Sequence, residues 1–189
     1  MAARSQRTRA TPAPSSARVA ISVAIPCRRW RKALPDVERV ATTAARAAWR
    51  GALAAPGRAA PAREPGRAAE LSLVLGGDPL VRSLNRRWRG HDRATNVLSF
   101  PAGPEAGRAG PILLGDVVLA YETVAREAET QGKALAAHLS HLVAHGVLHL
   151  LGFDHENDAE AQRMEGLERH ILARLGMADP YRVREAAHG

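Results

Sequence analysis

Three histidines within eleven residues, His145, His149 and His155, carry the most specific chemistry in this sequence. His145 and His149 are four positions apart. On a helix of about 3.6 residues per turn they stand one above the other on one face. Neutral imidazole binds zinc at about 2.0–2.1 Å, so both rings can reach one ion. Gly152 is placed to end that helix in a left-handed conformation, and the chain turning back there delivers His155. Three imidazoles with water in the fourth position make a catalytic zinc site, one ion per chain. Paired histidines at this spacing also occur on ordinary helix faces; the terminal glycine and the third histidine set this stretch apart. His141, one turn earlier, is either a fourth ligand or a group that packs behind the ligands. Asp154, next to His155, is a candidate to fix a ligand imidazole by hydrogen bonding.

The spacing H-x3-H-x2-G-x2-H is shared with metzincin peptidases, which place a glutamate after the first histidine as general base. Here that position is Gly146. A peptidase of that type would lack its proton acceptor, while metal binding and water activation remain open.

A second chemical cluster runs from Leu84 to Pro101 and holds Arg86, Arg87, Arg89 and Arg93. Guanidinium groups bind phosphate oxygens through two parallel hydrogen bonds. Arginines at a helix C-terminus are also favoured by the helix dipole alone, which accounts equally well for Arg86 and Arg87. Arg89 differs, because it sits at the turn into an apolar strand.

These two segments, with Leu114-Gly115-Asp116-Val117, resemble the YbeY family of bacterial endoribonucleases and rRNA maturation factors. The pattern H-G-x-L-H-L-x-G-[YF]-D-H is matched throughout from His145 to His155. The pattern L-N-x-x-[YW]-R-x-x-D-x-x-T-[DN]-V-L-S-F-P is matched from Leu84 to Pro101, with Ala94 in place of a frequent proline. The resemblance spans roughly residues 19–176. It implies a zinc-dependent endoribonuclease that prefers single strands, processes the 3′ end of small-subunit ribosomal RNA and serves ribosome quality control. It further implies contacts with small-subunit ribosomal proteins and the GTPase Era. Carried over by position, His145, His149 and His155 are the metal ligands and Arg89 is the functional arginine of the cleft. By their own chemistry, and not by the resemblance, Arg86, Arg87 and Arg93 are candidate RNA contacts, and Asp116 is a weaker cleft candidate or a buried turn carboxylate. Two other readings stand beside this one: a metzincin-like metallopeptidase, and a non-catalytic ribosome-assembly factor with a structural metal.

The elements that must position these groups follow from apolar patterning. Residues 19–25 read as a strand, and Asp36 as the cap of a helix to about residue 53 with Val37, Val40, Ala41, Ala44 and Ala48 on one face. Residues 71–75 read as a buried strand, followed by Asp78 as cap and Pro79 opening a helix on which Leu80, Val81, Leu84 and Trp88 recur at helical spacing. Strands are expected at 96–100 and 113–119. Helices are expected at 122–129, 134–151 and 158–175, the last with Met164, Leu167, Ile171 and Leu175 buried. The sum is an α+β domain, a small mixed sheet covered by helices, over residues 18–176. Residues 1–17 read as a disordered basic tail, 54–69 as a flexible Pro/Gly insert, 102–111 as a loop and 177–189 as a C-terminal tail.

Composition narrows the partners. The chain has 189 residues and a net charge of +8. Residues 1–70 hold 14 Lys/Arg against 4 Asp/Glu, and the remainder holds 13 against 15. A basic half favours a polyanion, RNA first, although an arginine-rich composition alone produces the same excess. Aromatic residues make up 4%, which argues against a broad stacking platform. The single Cys27 excludes an internal disulfide and a cysteine zinc site, as fits a reducing cytoplasm. The apolar run at 19–25 after several arginines imitates a signal peptide, but it is short and no cleavage site closes it. Nothing is long and apolar enough to span a membrane.

Overall fold

A computed structural model of the chain describes residues 18–55, 67–103, 110–155 and 157–182. The expected basic tail, most of the Pro/Gly insert and the middle of the 102–111 loop lie outside the described residues.

Four strands form one sheet: β1 (Val19–Ala24), β2 (Ala69–Gly76), β3 (Val97–Pro101) and β4 (Ile112–Ala120), in the order β1-β2-β4-β3. β1, β2 and β4 are parallel, and β3 runs antiparallel to β4 at the edge. The helices are α1 (Arg29–Ala33), α2 (Val37–Ala54), α3 (Asp78–Arg89), α4 (Tyr121–Thr130), α5 (Leu135–Leu150) and α6 (Asp158–Arg174). The α+β expectation holds, and the expected element bounds fall within about two residues of these.

Side-chain alternation in β2 explains the layering. Leu71, Leu73 and Leu75 point into the main core with α2 and α5, while Val74 joins a smaller cluster with Val81, Leu98, Val118 and Ala120 beneath α3. Helix α2 presents Ala41, Ala44, Ala45, Ala48 and Ala52, all at most 1% exposed. Small side chains let its backbone lie close to its neighbours, which is where the alanine-rich composition is used.

One element was not anticipated, and two cap assignments need correction. The basic stretch after Cys27 contains a short helix, α1, whose Trp30 is fully buried and donates its indole N–H to the Gly76 carbonyl at 2.9 Å. Asp36 precedes α2 but does not cap it; its carboxylate pairs with Arg39 instead. Asp78 is the first residue of α3, not its cap. Its carboxylate accepts from the Thr123 backbone N–H (3.1 Å) and hydroxyl (2.9 Å), while its own N–H donates to Glu122 (2.8 Å). The N-termini of α3 and α4 thus satisfy each other's orphan donors across the chain. On α3, Val81 is buried, but Leu80 and Trp88 are exposed, Trp88 by 63%. A helix at the margin of the sheet has only a narrow face to bury, and the last turn runs past it.

Candidate metal centre

Helix α5 holds His145 and His149 because its opposite side is committed to the sheet. Gly146 is the contact point: a Cβ there would lie 2.6 Å from Val117 Cγ1 and 3.1 Å from Ser99 Oγ. The Ser99 hydroxyl donates to the Gly146 carbonyl at 3.2 Å. Position 146 therefore faces β4 and β3. A glutamate there, as a metzincin requires, has no room, and the peptidase reading loses its base for a packing reason as well as a compositional one.

The helix ends as the glycine implied. Gly152 has φ +81°, its N–H bonds the His149 carbonyl (2.9 Å), and Phe153 N–H bonds the Leu148 carbonyl (3.0 Å). The reversed chain then brings His155 to the other two histidines. Ligand-capable atoms of His145, His149 and His155 all lie within 4.8 Å of one another. The Nε2 atoms of His145 and His149 are 3.1 Å apart. Two zinc–nitrogen bonds of about 2.05 Å at the tetrahedral angle separate their donors by about 3.3 Å, so the pair stands at ligand spacing. The donor set is all imidazole, and the rings are open to solvent on one side: His145 and His149 side chains are 25% and 24% exposed and His155 is exposed. These residues fit a zinc ion with room for water.

Behind the three histidines sits a residue that sequence reasoning missed. Glu168 of α6 is 0% exposed. Its Oε1 accepts from His145 Nδ1 and its Oε2 from His141 Nε2, each at 2.8 Å, and the Tyr181 hydroxyl also donates to it. Burial by itself would raise this carboxyl, but the bonds from His141, His145 and Tyr181 outweigh it and hold the group at about 2. An ionised carboxylate only accepts, so His145 must carry its proton on Nδ1, leaving the Nε2 lone pair for a metal. The same logic puts the His141 proton on Nε2, so this nitrogen is committed to Glu168. The signal was present in the sequence: Glu168 is a carboxylate at i+4 from Met164 and i−3 from Ile171, on the buried face of α6. Leu167, expected there, is only half-buried.

His149 is pushed down to about 4 by burial first, and then by the neighbouring His145 and His155. It is accordingly neutral, the ligating form, throughout the physiological range. Asp154 accepts from the His155 backbone N–H at 2.8 Å and lies 3.8 Å from His149 Nδ1, too far for a hydrogen bond. It fixes the backbone of the third histidine more directly than it fixes a ring.

The arginines are carried by α3 and the loop that follows it. Arg86, Arg87 and Arg89 end α3, Gly90 follows with φ +73°, and Arg93 lies in the next loop, all four arginines exposed. Arg82 braces that loop through two 2.8 Å bonds to Asp92, and buried Asn85 donates to the Arg93 carbonyl at 2.8 Å. Asp116 is in β4 opposite Phe100 and Ser72 and is not among the groups gathered around the three imidazoles.

Comparison with known proteins agrees with the residues. The family profile described as endoribonuclease YbeY matches residues 38–176. The chain belongs to the YbeY family. A Paramagnetospirillum magneticum protein named endoribonuclease YbeY is 52% identical over 171 residues, covering 86% of this chain and 96% of that one. A protein of the same name from Azorhizobium caulinodans is 52% identical over 149 residues, covering 79% and 88%. A solution structure from Thermotoga maritima aligns with 86% of this chain and 99% of its own at 20% identity and a TM-score of 0.49. The family matched runs through all three segments that carried the resemblance.

Proposed function

We propose that the protein is a zinc-dependent, single-strand-preferring endoribonuclease that matures the 3′ end of small-subunit ribosomal RNA and takes part in ribosome quality control. The observation that carries the metal chemistry is the trio of imidazoles with His145 oriented from behind by a buried carboxylate. Membership of a family named for endoribonuclease activity supports RNA as the substrate. Bound zinc would supply Lewis acidity toward a phosphate oxygen and a water acidified to near neutrality. His145, His149 and His155 would hold the ion. Glu168 keeps the His145 proton on Nδ1. Arg89 offsets the charge that builds on the phosphoryl oxygens as water oxygen bonds to phosphorus and the strand oxygen departs with a proton. Arg86, Arg87 and Arg93 neutralise neighbouring phosphates. Small-subunit ribosomal proteins and the GTPase Era are the proposed partners and the cytoplasm the proposed site of action; among the described residues no helix is long and apolar enough to cross a membrane.

Metal analysis paired with cleavage assays tests this reading. The purified protein should contain about one zinc per chain, cut single-stranded RNA and leave casein intact. His149→Ala should lose most of the zinc and the cleavage. Full zinc occupancy in that variant removes the ligand assignment, and normal rRNA processing in cells carrying a folded, metal-free variant assigns a structural role in ribosome assembly instead.

A further inference from the structure

Of the three tryptophans, Trp30 and Trp49 are at most 2% exposed, while Trp88 is 63% exposed. A free indole of that size on a helix end is unusual unless something covers it, since its apolar area is large. Its surroundings are built. The Phe100 ring stands beside it at 6.5 Å between centroids, tilted by 60°. The Arg87 guanidinium lies 5.3 Å from the indole centroid. Arg86 and Arg89 flank it in sequence, and no carboxylate forms an ion pair with Arg87, Arg89 or Arg93 among the described residues. The Arg82–Asp92 pair and the Asn85–Arg93 bond hold the loop beside it in one shape. Phe100 belongs to edge strand β3, whose preceding residue, Ser99, bonds Gly146 next to ligand His145. One strand thus touches both the indole and the metal-bearing helix.

We propose that Trp88 is a stacking platform for one unpaired base of the RNA substrate, with the neighbouring arginines seating the phosphates on either side of that base. This rests on the RNA reading above and deepens it. An exposed indole with the Arg87 guanidinium against it, and with Arg86 and Arg89 on the same helix end, matches a ligand that alternates planar rings with negative charge. It requires an unstacked base, hence a single strand, and it reads no sequence because every base has a π-face. One indole serves one base, which is compatible with the low aromatic content.

The test uses the full-length protein as purified and two oligomers of equal length and charge, a 2′-O-methyl oligonucleotide and its abasic counterpart. Because the other tryptophans are buried, a change in indole emission reports on Trp88. Base stacking should quench the emission with the base-bearing oligomer only. The wild type should bind that oligomer more tightly than the abasic one. Trp88→Ala should abolish this preference, with an affinity loss of roughly 5- to 150-fold, and Trp88→Phe should keep part of it. Zinc content and far-ultraviolet dichroism should not change in either variant. Equal wild-type affinity for both oligomers, or an unweakened Trp88→Ala protein, overturns the stacking role while leaving the RNA reading intact, and would assign the indole to a protein contact. Failure of the wild type to bind either oligomer overturns the RNA reading and the stacking role with it.

Discussion

Glu168 Oε1 lies 2.8 Å from His145 Nδ1, and no solvent reaches the carboxylate. The contact joins α6 to the histidine-bearing face of α5. It makes a residue twenty-three positions from His145 a determinant of which ring nitrogen is available.

Glu168→Gln retains size but replaces one acceptor oxygen with a donor amide facing imidazole N–H groups. Zinc affinity should fall about 10- to 100-fold, the usual loss when a partner behind a metal-bound histidine is removed. Competition with a chromogenic chelator measures this. Unchanged affinity in a folded Glu168→Gln protein would falsify the orienting role.

Gly146→Ala places a methyl 2.6 Å from Val117 Cγ1. Overpacking of this kind costs about 1–3 kcal/mol. Val117→Ala creates room, so the double variant should be more stable than the sum of the two single losses predicts. Urea denaturation of the four proteins gives the coupling, and strict additivity contradicts the close approach. Gly146→Glu should fail to fold well and should not acquire activity on casein.

Acid should destabilise the metal-free protein in two stages. His149 is held at about 4, against an ordinary value of 6.5, and burial likewise lowers His138 despite its bond to Glu127. Between pH 6.5 and 4 the unfolded chain takes up protons that the fold refuses, so stability falls with pH, by on the order of 3 kcal/mol for His149. Glu168, held at about 2 against 4.5, adds stability above 4.5 that is lost as pH falls toward 2. Thermal melts from pH 8 to pH 3 should show the first decline beginning near 6.5. A flat profile down to pH 4.5 rules out the neutral buried histidines.

Arg89→Ala should leave zinc content and folding nearly unchanged, because the side chain is exposed and unpaired among the described residues. Single-turnover cleavage at saturating RNA should drop by roughly two to three orders of magnitude. Arg89→Lys should recover only part, since an ammonium lacks the two-pronged donor geometry. A near-wild-type rate in the folded, zinc-loaded alanine variant takes Arg89 out of the active site.

Much of the fold was legible in the residues. Strands and helices with strong apolar periodicity, such as α5 and β4, fall within one or two positions of expectation. The histidine trio was readable too, because its members are close in sequence and Gly152 announces the turn between them. What escaped had distant partners. α1 is five residues long and held by Trp30 reaching the end of β2, a contact with no local periodicity. Asp78 resembles a cap, yet its partners are forty-five positions away on α4. Glu168 sits at a buried position of the α6 period, but its partners His141, His145 and Tyr181 are distant in sequence, and Tyr181 lies beyond the helix with no periodicity of its own. Trp88 misled in the opposite direction: helical spacing predicts a face, but not whether the neighbouring element extends far enough to cover it.

The turn at Gly152 gives the three imidazoles unequal support. Two stand on consecutive turns of a packed helix, and the third hangs beyond a left-handed residue that a side chain would strain. A metal held by all three would have two donors fixed by the packing of α5 and a third set only by the turn at Gly152, so a side chain at position 152 should displace His155 while leaving His145 and His149 in register.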